Sequence, residues 1–207
     1  MKITTLLENT SARPELTAEH GLSLYIETAE HRTLFDMGQT ALFSHNASVL
    51  GIDLAAVDIA ILSHGHYDHG GGLARFLTLN HTAPIYVNLH AFEPHYNGTE
   101  KYIGLDTALA HHRQLVFTDD TTVLADGITL CCRRQAKPNH PLGTFGLTML
   151  EDGAFRPEDF RHEQYLLVEE NGQKILFSGC SHRGILDIVD WLRPDVLIGG
   201  FHFSKLP

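Results

Sequence analysis

Apolar and polar positions sort the chain into short runs. "KITTLLE", "LSLYIET" and "HRTLFDMG" read as strands, and the short step from Thr28 to His31 joins the last two as a hairpin. "TALFSHNASVLGI" carries helical apolar spacing at Leu42, Phe43, Val49 and Leu50. Strand "IAIL", helix "GGLARFLTL" and strand "APIYVN" follow, and then "LVFTDD", "TTVLAD" and "ITLCC", which predict three successive antiparallel strands. From 133 to 161 the pattern dissolves among prolines and glycines, as in a long lid or binding loop over a site. "EQYLLVEENGQKILFSG" predicts a hairpin turning at Asn171-Gly172. Helix "GILDIVDWL" stops ahead of Pro194, and "DVLIGG" is the last strand. No linker or repeat interrupts this order, which predicts one α/β domain over residues 1–207.

Three of the apolar runs end alike. "IAIL" leads through Ser63 into His64-Gly65-His66-Tyr67-Asp68-His69. "KILF" leads into Ser178-Gly179-Cys180-Ser181-His182, and "DVLI" into Gly199-Gly200-Phe201-His202. Buried polar groups without partners are costly, so imidazoles clustered at the ends of core strands need compensation. Metal ions provide it. In an extended chain His64 and His66 point the same way with Cα atoms roughly 6–7 Å apart, which lets both meet one ion. Asp68 and His69 come after the chain turns and face a second position. Two ions roughly 3.5–4 Å apart share a bridging water and lower its pKa toward neutrality. A structural zinc needs four ligands and no open position, so the surplus of ligands points to a catalytic centre.

Composition narrows the partners. A formal net charge of −10 disfavours nucleic acid and anionic membranes, and leaves a small-molecule substrate as the expected partner. No apolar run is long enough to span a membrane, and the N-terminus lacks the pattern of a signal peptide, so a cytoplasmic location is the default expectation. The three cysteines, with Cys131 and Cys132 adjacent, do not form a disulfide framework. Cys131 and Cys132 lie mid-strand as small buried hydrophobes, whereas Cys180 sits among ligands. Nothing in the sequence specifies an oligomeric state.

"SHGHYDHGGGL" resembles the signature of the metallo-β-lactamase fold superfamily, and Asp36 in "LFDMG" stands where that superfamily has an aspartate ending an early strand. "HEQYLLVEENGQKILFSGCSHRGILDIV" and "LIGGFHF" are similar to the branch of dihydropteroate-synthase-like and methanopterin-related proteins. The resemblance implies a four-layer αββα sandwich with metals at one edge between the sheets. It implies a chain lacking its last elements, since members of the branch usually continue past the position of His202. It also implies a further histidine ahead of the bridging ligand. His162 fits by spacing and is slightly favoured, with His182 its rival, and Cys180 replaces the usual bridging aspartate.

The expected ligands are therefore His64, His66, Asp68, His69, His162, Cys180, His182 and His202. Asp36 orients a ligating imidazole, and Asp68 also holds the water and moves its proton. A thiolate suits zinc or iron, so the expected cofactors are two divalent ions of either metal, ahead of manganese. The expected activity is hydrolysis by a binuclear metal-bound hydroxide, with a phosphorylated or pterin-type substrate implied by the resemblance. The alternatives are an iron-dependent redox enzyme and a non-catalytic metal-binding regulatory module. Arg133, Arg134, Asn139, His140 and Glu163 are candidates to read a substrate but are expected mainly to be solvated, and His90, His95 and Tyr96 either line an entrance or lie on the surface.

Overall fold

The structure, a computed structural model, describes residues 1–132, 139–140 and 142–202; the expectations for Arg133 and Arg134 lie outside the described residues. A mixed six-stranded sheet contains β1 (Lys2–Leu7), β2 (Ser23–Glu27), β3 (Arg32–Phe35), β4 (Ile59–Ile61), β5 (Ile85–Asn88) and β8 (Leu115–Thr118), in that spatial order. Its first three strands are antiparallel and the rest add in parallel. Two further strands, β6 (His95–Asn97) and β7 (Lys101–Tyr102), leave this sheet between β5 and β8. The second sheet runs β15-β14-β13-β10-β9, built from β9 (Thr122–Ala125), β10 (Ile128–Cys132), β13 (Gln164–Glu170), β14 (Gln173–Ser178) and β15 (Val196–Gly199).

Strand periodicity explains the layers. In β13, Leu166 and Val168 point toward the first sheet and meet Leu24, Ile26, Phe35, Ile59 and Ile61, with Phe177 of β14 among them. The alternate residues Tyr165 and Leu167 point outward onto Ile185 and Ile188 of α4 (Ile185–Leu192). The outer face of the first sheet is covered by α1 (Leu42–Val49) and α3 (Leu73–Leu79), through Phe43, Ala47, Leu73, Phe76 and Leu77. The result is helix, sheet, sheet, helix, the expected αββα sandwich. A single-turn helix, α2 (Tyr67–Gly70), carries Asp68 and His69.

Two expectations need correction. "LVFTDD" does not pair with the strand after it. β8 joins β5 in parallel at the edge of the first sheet, while β9 and β10 form a hairpin in the second. Edge position accounts for this: Val116 and Phe117 are exposed, so local apolar pattern did not distinguish the two sheets. Residues 133–161 are also not irregular throughout. β11 (Leu147–Glu151) and β12 (Ala154–Pro157) form a hairpin with Asp152 and Gly153 at the turn, both at positive φ, the Asp-Gly signal of a tight two-residue turn. β12 is wholly exposed, which hides it from a search for buried runs. This hairpin continues through β6 to β7 as a third, four-stranded sheet.

The two main sheets are tied at one end by Gln164, which is fully buried. Its Nε2 donates to the carbonyls of Leu62 (2.7 Å) and Tyr86 (3.2 Å) in the first sheet, and its Oε1 accepts from Thr118 Oγ1 (2.9 Å). Its backbone N–H donates to the Ser63 carbonyl at 2.8 Å. One side chain thus clamps the ends of β4, β5, β8 and β13. Replacing it with an isosteric apolar residue leaves the Leu62 carbonyl buried and unpartnered, at a cost of about 1–3 kcal/mol. Gln164→Leu is expected to lower the unfolding free energy by that amount, read as a lower urea midpoint at an unchanged m-value. An unchanged midpoint would show that the clamp contributes nothing.

Candidate metal centre

Strand β4 ends at Ile61, and Ser63 to His69 turn across the rim between the two sheets. Asp36, just past β3, is fully buried and organises this turn. Its Oδ1 accepts from the Ser63 N–H (2.7 Å), and its Oδ2 from Ser63 Oγ (2.7 Å) and His69 Nδ1 (2.7 Å). Ser63 Oγ gives its proton to Asp36, so it accepts from His64 Nδ1 at 2.8 Å. Both Nδ1 atoms thereby carry a proton, so Nε2 of His64 faces the rim with a lone pair, and Nε2 of His69 faces it as the atom at which a metal ion would replace a proton.

The second sheet supplies the facing wall. Gly179, past the end of β14, passes so close to Asp36 and Ser63 that a Cβ there would lie 2.0 Å from Ser63 Oγ. Beyond it Cys180 Sγ reaches His69 Nε2 at 3.1 Å. His182 is held by Glu163, whose carboxylate accepts the backbone N–H of His182 (2.7 Å) and of Arg183 (3.0 Å) and the Tyr165 hydroxyl (2.6 Å). Glu163 is therefore buried and structural, not solvated as expected. Phe160 stacks on the His182 ring, centroids 4.6 Å apart, so the end of the long segment packs against the centre. His202 completes the wall, its ring centroid 4.3 Å from that of His182.

Potential ligand atoms gather in overlapping groups, each within 4.8 Å: His64, His66 and His182; His64, His69 and Cys180; Cys180, His182 and His202. Asp68 Oδ2 lies 3.5 Å from His69 Nε2 and 3.3 Å from His20 Nε2. The Nε2 atoms of His64 and His66 and both ring nitrogens of His182 are buried with no hydrogen-bond partner among the described residues. Buried lone pairs of this kind fit a metal ion.

A fourth group holds His66, His95, Glu158 and His162. Glu158 Oε2 accepts from His95 Nδ1 at 2.7 Å, and its Oε1 is 3.6 Å from His162 Nε2. His162 Nδ1 accepts the backbone N–H of Gly65 at 2.8 Å. Its lone pair is thus spent on the peptide between His64 and His66, and a neutral ring carries its proton on Nε2, toward Glu158. His95 and Glu158 escaped sequence reasoning as a pair because 62 residues separate them. The available signals were Glu158 and His162 four residues apart, and His95 opening a three-residue strand. His90 lies apart, bonded to Glu93, and Asn139 and His140 offer their backbone N–H groups to Asp187. Tyr96 packs its ring against Tyr102 and Phe155 in the third sheet.

The model of the "Metallo-beta-lactamase superfamily" matches residues 16–205. The chain belongs to that superfamily. It is 30% identical to the solved structure of Tm1679, described as a metal-dependent hydrolase of the β-lactamase superfamily, with a TM-score of 0.80 over 99% of this chain and 78% of that one. Among curated proteins of Methanocaldococcus jannaschii, it is 31% identical to 7,8-dihydropterin-6-methyl-4-(beta-D-ribofuranosyl)-aminobenzene-5'-phosphate synthase, covering 98% of this chain and 77% of the relative. It is 27% identical to the uncharacterized protein MJ0448, over 97% and 78% of the two chains. No helix among the described residues is long and apolar enough to cross a membrane.

Within this superfamily fold the electrostatics of the rim separate the imidazoles. Burial holds the pKa values of His64, His66 and His182 well below the usual range, and crowding by neighbouring imidazoles adds to it. Burial and His95 bring His162 down to about 4, against the pull of Glu158. His69 goes the other way. Burial opposes its charged form, but Cys180, Asp36 and Asp68 outweigh burial and raise it. Asp68 is lowered although burial opposes this, because His69, His20 and His66 surround it.

The depressed histidines bind protons in the unfolded chain below about 6.5 but not in the folded one until much lower pH, near 4 for His162. The unfolded state therefore binds more protons in that window, and stability falls as pH drops through it, by up to about 1.4 kcal/mol per unit per imidazole. His69 and His20, both raised, are protonated in the folded and the unfolded chain below about 6.5, so their contributions are constant in this window and are lost only as pH rises through their folded values. Within the window the buried Glu163 carboxyl, also raised, opposes the four imidazoles, and four groups against one decide the sign. Chelator-treated protein is expected to lose urea resistance between pH 7 and pH 5, and His182→Gln to shallow that loss. A midpoint that stays flat or rises on acidification would refute the neutral state assigned to these rings.

Proposed function

We propose that this chain is a metal-dependent hydrolase with two divalent ions, zinc or iron, at the rim between its sheets. One ion is held by His64, His66 and His182, the other by Asp68, His69 and Cys180, with His202 at the edge between them. Convergence of the unpartnered buried nitrogens of His64, His66 and His182 beside the Cys180–His69 pair carries this proposal. His182 takes the place for which His162 was slightly favoured, because the His162 lone pair is already bonded to Gly65. Cys180 suits the softer metals. The relative named as the synthase of a pterin compound that carries a 5'-phosphate supports a phosphorylated or pterin-type small molecule at this site.

When bound, such ions supply Lewis acidity and a water acidic enough to lose its proton near neutral pH. The side chains do the rest. Asp36 and Ser63 hold His64 and His69 in their ligating tautomers. Glu163 and Phe160 fix His182 from behind. Asp68 is ionised, faces the cleft, and can take the proton of an attacking water at its Oδ2, next to His20. Cleft residues keep the substrate against this face.

Elemental analysis of protein purified without added metal is expected to find two ions per chain, with His182→Ala retaining about one. Asp68→Asn keeps shape but loses charge and base. It is expected to unfold at the same temperature as the parent, within a few degrees, and to lose roughly 10²–10⁴ in turnover. No bound metal in the parent would reject the centre. More than a tenth of the turnover surviving in Asp68→Asn, at parental metal content, would remove Asp68 from the proton transfer.

A further inference from the structure

Above the centre lies a cleft of 550 Å³, lined at its base by His66, Asp68, Cys180, His182 and His202. Its outer wall comes from the third sheet, whose register puts three side chains in one row. Leu147 of β11 pairs with Asn97 of β6, and Asn97 pairs with Lys101 of β7. Cross-strand partners present their side chains on the same face, and all three line the cleft. Asn9 and His20 stand in the same lining.

Lys101 is the informative member. It is exposed, and among the described residues it forms no ion pair with a carboxylate. Its Nζ lies over the ring of Tyr67, the residue after His66, 5.5 Å from the centroid. That contact holds an ammonium group over the cleft beside the metal-ligand motif. The chain as a whole carries −10, so a cation over this cleft opposes its general acidity. A lysine fixed on a strand beside an asparagine amide offers what an oxyanion needs: one full positive charge and neutral hydrogen-bond donors.

We propose that Lys101 and Asn97 form an anion subsite, which takes a phosphate or carboxylate group of the substrate remote from the bond that is cleaved. This rests on the cleft being the substrate site of the hydrolase described above. Lys101 then fixes orientation: the anionic end sits on the third sheet, and the reactive end meets Asp68 and the metal ligands. Leu147, next in the row, gives the apolar surface between the two ends.

The probes are inorganic phosphate and acetate, titrated calorimetrically at low ionic strength into the full chain, both metal-loaded and chelator-treated. Chelated protein isolates the subsite from the metals, which themselves bind phosphate. There Lys101→Ala is expected to weaken binding about tenfold, equivalent to about 1.4 kcal/mol, with unchanged thermal unfolding. Lys101→Arg is expected to stay within about threefold, since the charge is kept. Tighter binding of phosphate than acetate assigns a phosphate group, and the reverse a carboxylate. No binding of either anion to chelated protein, or binding that Lys101→Ala leaves intact, overturns the subsite. Anion binding through Lys101 in a metal-loaded chain that hydrolyses no ester or lactone would sink the hydrolase reading and leave the subsite standing.

Discussion

The carboxylate of Asp36 is the constraint on which the candidate centre depends. A carboxylate out of contact with water is costly unless every lone pair finds a donor. Asp36 finds three, and each does structural work beyond compensating the charge. The Ser63 N–H ties the end of β3 to the end of β4. The Ser63 hydroxyl relays the charge to His64, and His69 receives it directly. Two imidazoles therefore turn their Nε2 atoms to the same side of the rim. Asp36 itself sits at φ 61, where a side chain with a Cβ is strained, and that backbone turn is what lets one carboxylate reach both residues.

The same economy applies across the sheets. Gln164, the residue after Glu163, closes β13 onto the first sheet, while His162 on its other side bonds the peptide of Gly65. Three consecutive residues, His162, Glu163 and Gln164, thus fix the turn between His64 and His66, the backbone of His182, and the join of the two sheets. Tyr165 continues the strand into the layer beneath α4. Geometry at the rim is inherited from packing in the sandwich, so the candidate ligand side chains need no loop of their own to position them.

Local pattern made much of this legible. The three strand ends with their small residues and ligands, the β13–β14 hairpin and the helix after it could all be read because period, turn residues and chemistry agree there. What escaped depends on distant pairing. β8 has the same composition whether it joins β5 or β9, and only tertiary context chooses. The third sheet is short-stranded and largely exposed, so burial periodicity does not mark it, although Asp152-Gly153 was a readable turn. His95 and Glu158 meet only because that sheet folds back over the rim. Glu163 reads as an ordinary polar residue until Tyr165 and the His182 segment are seen to close on it.

The rim also carries a conflict that its side chains do not resolve alone. His64, His66 and His182 are pressed together, neutral and without partners for several ring nitrogens, while His69 is drawn toward its charged form by Asp36, Asp68 and Cys180. A fold stabilised only by its own contacts would be expected to replace such groups with apolar ones, since unsatisfied buried polar atoms each cost free energy. Their presence together at the ends of well-packed strands is the mark of a site under a requirement other than stability. Divalent cations would meet both halves of the conflict at once: they would occupy the lone pairs of the neutral rings and replace the proton shared by His69 and Cys180 with charge that the surrounding carboxylates already favour.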